Sequence, residues 1–302
     1  MKKLYAVLVL IFLLFSCSES DDFDQNENIS RKPTKPINAL DPTKLARVVF
    51  YPGTSYEKIW FFYPNGLIKK ITTHNGTLLQ NFLYDANKNL IQTNYSNSNS
   101  YTFTYDNNNH ITSLNGQNVL YDATSNQYIF QYPPIINNNP ECPWCYDYAD
   151  RREITLNEDL LIQNDITYYL SADGDYFHRS VIAGYNNGNM SFSGNWNDPT
   201  WLAYAYDDKP NPFKLALLPV CRAMAITSEN CYGRFVYGTV SSVNNVIRNI
   251  YDSQDPENEV ISYEYNSNNL PVKQTTMFYS SGNLEYTGVS ILYYYQGDVI
   301  PN

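Results

Sequence analysis

From Leu45 onward the chain is a succession of short aromatic and β-branched runs separated by Asn, Asp and Gly. Strict alternation is visible in Tyr101-Thr102-Phe103-Thr104-Tyr105, which puts tyrosine and phenylalanine on one face of a strand and threonine on the other. Lys58-Ile59-Trp60-Phe61-Phe62-Tyr63 is a run of the kind that forms a strand. The Asn, Asp and Gly that follow such runs accept the positive φ of a tight hairpin turn. Helical spacing is scarce. Its best stretch is Phe213-Lys214-Leu215-Ala216-Leu217-Leu218, which Pro212 is placed to open and Pro219 to stop.

The pattern also repeats. Tyr-Asp occurs at 84-85, 105-106, 121-122, 146-147, 206-207 and 251-252. Tyr63-Pro64-Asn65-Gly66-Leu67-Ile68, Tyr84-Asp85-Ala86-Asn87-Lys88-Asn89-Leu90-Ile91 and Tyr105-Asp106-Asn107-Asn108-Asn109-His110-Ile111-Thr112 share one design, their leading tyrosines 21 residues apart. The segments led by Tyr185, Tyr265 and Tyr279 restate it. A tyrosine ends a strand, polar residues turn the chain, and Leu, Ile or Met opens the return strand. The predicted fold is therefore all-β, an antiparallel sheet of successive hairpins with at most one short helix.

This organisation resembles the YD-repeat proteins related to Rhs elements, in particular short bacterial lipoproteins carrying a few repeats. The resemblance covers residues 57–132 well and residues 185–213 and 259–286 more loosely. Tyr206-Asp207-Asp208-Lys209-Pro210-Asn211-Pro212-Phe213 looks like a recurrent element of those lipoproteins. The resemblance implies antiparallel sheet and an envelope location. Large members curl such sheet into a shell, for which the repeats here are too few, and for short members the resemblance implies no established chemistry.

The N-terminus has its own signature. Lys2 and Lys3 precede an apolar run from Leu4 to Phe15, the layout of a secretory signal. Twelve residues rise about 18 Å as a helix, short of a bilayer core of about 30 Å. Leu14-Phe15-Ser16-Cys17 resembles the lipobox of bacterial lipoproteins, which implies a lipidated Cys17; Phe15 departs from the small residue usual at its place. The acidic run Ser18-Glu19-Ser20-Asp21-Asp22-Phe23-Asp24 looks like the export signal of surface-displayed outer-membrane lipoproteins of Gram-negative bacteria, the alternative being a solvated tether. The expected partition is a signal peptide at 1–16, a disordered tether at 17–44 and hairpin repeats at 45–132. A less regular insertion with further hairpins and four cysteines occupies 133–234, and C-terminal hairpins occupy 235–302.

Composition narrows the function classes. The 302 residues carry 30 acidic against 20 basic side chains, a net charge of −10. Removal of residues 1–16 takes Lys2 and Lys3 with it and leaves −12. A nucleic-acid partner would call for a basic chain. With 29 Tyr, 38 Asn and only 17% charged residues, the surface is made polar mainly by neutral side chains.

Candidate chemistry is thin. Beyond Cys17 the cysteines are Cys142, Cys145, Cys221 and Cys231. In an exported chain they read as disulfides, locally 142–145 and 221–231 or crossing between the two segments. A zinc site built from all four cysteines and a redox-active Cys142-Pro143-Trp144-Cys145 are the alternatives. His74, His110 and His178 are the only histidines, and no GxSxG, HExxH or Walker-type loop is present. Asp173-Gly174-Asp175 and the acids at Asp252, Asp255, Glu257 and Glu259 are oxygen-rich but lack EF-hand spacing, and read as charged hairpin tips. Trp144, Trp196 and Trp201 in the insertion are candidate ligand platforms, because aromatic rings stack on sugars and supply contact area for proteins. The expectation is a non-catalytic, lipid-anchored binding or scaffold module for glycan or an envelope protein, with no cofactor. A polysaccharide-acting enzyme and a structural subunit of a larger assembly are the rivals.

Overall fold

The tyrosine-ended runs become strands that turn back on themselves. The computed structural model describes residues 41–131, 148–159, 161–170, 176–195, 201–227, 242–250 and 258–301. The first strands are β1 (Leu45–Phe50), β2 (Lys58–Phe62), β3 (Ile68–Thr73), β4 (Leu78–Tyr84), β5 (Leu90–Tyr95), β6 (Ser100–Tyr105) and β7 (Ile111–Leu114). Two short pieces, β8 (Gln117–Asn118) and β9 (Leu120–Asp122), precede β10 (Gln127–Gln131). The series continues through β11 (Tyr148–Leu156), β12 (Ile162–Leu170), β13 (Tyr176–Asn186), β14 (Asn189–Asn195) and β15 (Trp201–Pro210). The helix α1 (Pro212–Met224) follows, then β16 (Asn244–Ile250), β17 (Asn258–Tyr265), β18 (Pro271–Ser280) and β19 (Asn283–Tyr295).

These nineteen antiparallel strands form one nearly closed sheet. Each strand except β8 and β9 pairs with its neighbours in sequence, and β19 returns to β1 with Tyr293 opposite Val48. At the weakest join β7 pairs with β8, the Val119 N–H donates to the Thr112 carbonyl at 2.9 Å, and β9 pairs with β10. Closure removes the open edges that a sheet of hairpins would otherwise expose.

The repeated turn has one mechanism. In the second unit the Lys88 N–H bonds the Asp85 carbonyl, the Asp85 N–H bonds the Asn89 carbonyl, and Lys88 sits at φ 68°. Asp85 Oδ1 accepts the Asn89 N–H at 2.8 Å. Asp106 and Asn266 do the same in their turns, each accepting two backbone N–H groups, with Asn109 and Asn269 at positive φ. A bulge precedes the turn each time, so Tyr84 faces Leu90, Tyr105 faces Ile111 and Tyr265 faces Pro271. The first unit differs by one residue from its sequence alignment. Phe62 faces Ile68, so Phe62 holds the place of Tyr84. Tyr63 holds that of Asp85, because Gly66 (φ 89°) takes the left-handed position of Lys88.

Tyrosine, rather than phenylalanine, is explained by its hydroxyl. Tyr84 OH donates to the Ile68 carbonyl at 3.0 Å and Tyr105 OH to that of Leu90 at 2.7 Å. Tyr185, Tyr206 and Tyr295 reach Ile162, Met190 and Pro271 in the same way. Every acceptor is the first residue of a return strand or borders its start. The phenol thus ties one hairpin to the preceding one at the rim where those two strands have no connecting turn.

The lumen of this ring is the core, and α1 fills one end of it. Tyr206-Asp207-Asp208-Lys209-Pro210-Asn211-Pro212-Phe213 is the stretch that steers the chain from wall to interior. Asp207 takes the Lys209 and Asn245 N–H groups and the Tyr265 hydroxyl. The Asn211 side chain caps the helix by accepting the Phe213 N–H, and Phe213 packs on Phe50, Trp60 and Tyr293. The helix does not stop at Pro219 but runs on to Met224. Proline removes one internal bond, whose acceptor belongs to Leu215 on the exposed face, where water can replace it. Seven buried helix residues outweigh that loss. At the far end Arg152 grips Asp165 through two bonds of 2.7 and 2.8 Å and donates to the Ala225 and Thr227 carbonyls, a cation on the negative end of the helix.

Candidate functional site

The lumen is not filled throughout. Below Phe213, bounded by β16–β19, β1 and β2, lies a cavity of about 400 Å³, within the usual range for small-molecule sites of about 300–1,000 Å³. Its aromatic wall is Phe50, Trp60, Phe213 and Phe278, with Phe50 and Trp60 ring centres 4.5 Å apart. Tyr51 and Tyr286, both about half exposed, and Lys58 line it as well. Alternation places these residues: Phe50 faces Lys58 and Ile291 across its two neighbours, so all three share the inner face.

The polar lining has two parts. In one, the groups bond one another. Tyr293 OH donates to Gln274 Oε1 at 2.9 Å, Gln274 Nε2 to Thr276 Oγ1 at 3.5 Å, Thr276 Oγ1 to Ser290 Oγ at 2.9 Å and Ser290 Oγ to the Gln274 carbonyl at 3.4 Å. The other part is Asn249 and Glu259, paired across β16 and β17. Asn249 Nδ2 donates to Glu259 Oε2 at 2.5 Å, while Asn249 Oδ1, on a residue 3% exposed, has no hydrogen-bond partner among the described residues. Burial pushes the Glu259 carboxyl above the ordinary carboxylate range, against the opposing hydrogen bond from Asn249.

A second cavity of about 410 Å³ lies at the other end of β2, where the Asn65, Lys88 and Asn109 turns meet Leu218, Pro219 and Arg222 of α1. Its polar groups are largely occupied: Asn89 Nδ2 bonds Asn109 Oδ1 at 2.8 Å, and Arg222 donates twice to the Asp159 carbonyl.

The sequence-derived site residues fare unevenly. Cys17, Cys142, Cys145, Cys231, Trp144 and Trp196 lie outside the described residues. Cys221 is buried on α1 at 4% exposure. Trp201 opens β15 opposite Gly194. His110 stacks on Tyr121 at 3.8 Å and bonds Asp106, a turn role. Of the acids read as hairpin tips, Glu259 is instead a cavity residue within β17, and Asp173, Asp175, Asp252, Asp255 and Glu257 lie outside the described residues. Among the described residues no cluster of three or more metal-binding side chains occurs. Among the described residues, Trp60, the tryptophan read only as a strand former, is the one that lines this cavity.

The class defined so far is an all-β ring of hairpins, plugged by a helix at one rim and hollow toward the other. No protein-family model and no curated protein matches the chain. Among solved structures it is similar to a porin-like protein from Bacteroides uniformis, at 10% identity and TM-score 0.42 over 83% of this chain and 97% of that one. A porin-like protein from Bacteroides vulgatus gives 10% identity and TM-score 0.35 over 84% and 99%. The TcdB2-TccC3 structure gives 11% and 0.28 over 76% of this chain and 13% of that one. In this chain the outward face of β4–β6 carries Asn81, Gln92, Asn94, Thr102 and Thr104 together with Leu79 and the exposed Leu83. No described helix is long and apolar enough to cross a membrane.

Proposed function

We propose that this chain is an exported, lipid-anchored protein of a Gram-negative outer membrane that binds saccharide, without chemical conversion, in the lumenal cavity beside Trp60. The lipobox-like Leu14-Phe15-Ser16-Cys17 and the acidic tether after it support the anchor and surface display. The cavity carries the binding reading: rings for stacking on a sugar face stand beside buried amide, hydroxyl and carboxyl groups for its edge. Hydrolysis of a glycosidic bond calls for two carboxyl groups flanking it, and Glu259 is the one carboxylate among the described lining residues.

The test is a glycan array probed with the full chain in neutral detergent micelles. Saturable binding is expected, with a loss of about tenfold or more in Trp60→Ala and no change in Phe61→Ala, whose ring points to the opposite face of β2. Equal loss in both variants, or none in either, rejects the cavity as the site. In cells, Cys17→Ala should move the protein from the membrane to the soluble fraction, and retention would reject the anchor.

A further inference from the structure

The geometry points to an amine-bearing saccharide as the ligand of the lumenal cavity, its ammonium group held between Glu259 and the Asn249 side-chain oxygen against the Phe50–Trp60 rings. This rests on the reading of the cavity as a saccharide site and specifies what it selects. A buried acceptor without a donor, set beside a carboxyl group, carries it. Gln274, Thr276 and Ser290 satisfy one another together with Tyr293. Two acceptors stand apart from that network: Asn249 Oδ1, without a hydrogen-bond partner among the described residues, and the Glu259 carboxyl, which has no cationic partner within 4 Å among the described ion pairs. A buried acceptor without a donor is costly, so the fitting ligand brings donors to both oxygens. An ammonium brings three N–H groups and a positive charge, which the carboxylate and the faces of Phe50 and Trp60 both attract. A hydroxyl brings one donor and no charge.

Protonation follows from the same arrangement. Without ligand, burial favours the neutral carboxyl. An ammonium beside it favours the ionised form, so for as long as the amine stays protonated binding strengthens as pH rises through the Glu259 ionisation. The other groups facing Glu259 do not reverse this sign. Asn249 on β16 and Phe278 on β18 are uncharged, α1 presents Phe213, and Tyr51 and Tyr286 present phenol rings. Lys58 on β2 is the one cation among the described lining residues; it is exposed and weakens the attraction.

Calorimetric titration of the full chain with three β-1,4-linked disaccharides, of glucosamine, N-acetylglucosamine and glucose, separates the outcomes. Expected is a preference of about tenfold or more for the glucosamine disaccharide over the glucose one at pH 7. Glu259→Gln should abolish that preference with circular dichroism unchanged. Equal binding of all three, or a preference that survives in Glu259→Gln, overturns the amine assignment while leaving the cavity a saccharide site. Binding of none of them overturns both.

Discussion

Tyr84, Tyr105, Tyr185 and Tyr206 each place a ring against the core and a hydroxyl on a carbonyl of the strand away from their own turn. Tyr128 serves the same purpose in reverse, its oxygen accepting the Ile111 N–H at 3.0 Å. Burial pushes up the phenol of Tyr128 to about 12, and those of Tyr84, Tyr105 and Tyr206 rise further. The repeat therefore specifies tyrosine for a hydrogen bond that phenylalanine cannot make. Tyr105→Phe should cost about 1–2 kcal/mol, read as a lower urea midpoint with an unchanged slope. Tyr56→Phe, at a residue 78% exposed, is the control and should cost nothing measurable. Equal stability of Tyr105→Phe and the parent chain would show that the hydroxyl does not hold the hairpins together.

At the scale of elements, the helix was half legible. Asn211-Pro212 marks its start as a cap and first-turn proline should, and the structure follows. Pro219 was a misleading stop, because burial of Phe213, Leu217, Val220 and Met224 inside the ring is a tertiary gain that local spacing does not carry. Nor does the sequence single out the other end of the helix. Arg152 and Asp165 belong to two different strands and meet the carbonyls of Ala225 and Thr227 only once the ring has closed. Their exposures are 7% and 8%, so removing one charge strands the other in the core. Asp165→Asn should destabilise the protein by about 3–5 kcal/mol, whereas Arg152→Met with Asp165→Leu should recover much of that loss. A single substitution as mild as the double one would show the pair to be solvated and the helix end held otherwise.

Across the whole molecule, hairpins were readable because each is local: a strand, an Asx-capped turn and a return strand lie within about twenty residues, as in Tyr84–Tyr105. Closure was not, since the β1–β19 join pairs Val48 with Tyr293. The cavity shares that invisibility. Phe50, Trp60, Asn249, Glu259 and Ser290 each look like ordinary strand residues, and only the ring sets them on one inner wall. Hydrogen–deuterium exchange of the full chain, with and without a saturating saccharide, locates the proposed site without presuming which residues matter. A ligand in the lumen should slow exchange in β17–β19, β1, β2 and the first turn of α1, and leave the Lys88 and Asn109 turns unchanged. Protection confined to those turns, or absent from β17–β19, would contradict binding in the cavity.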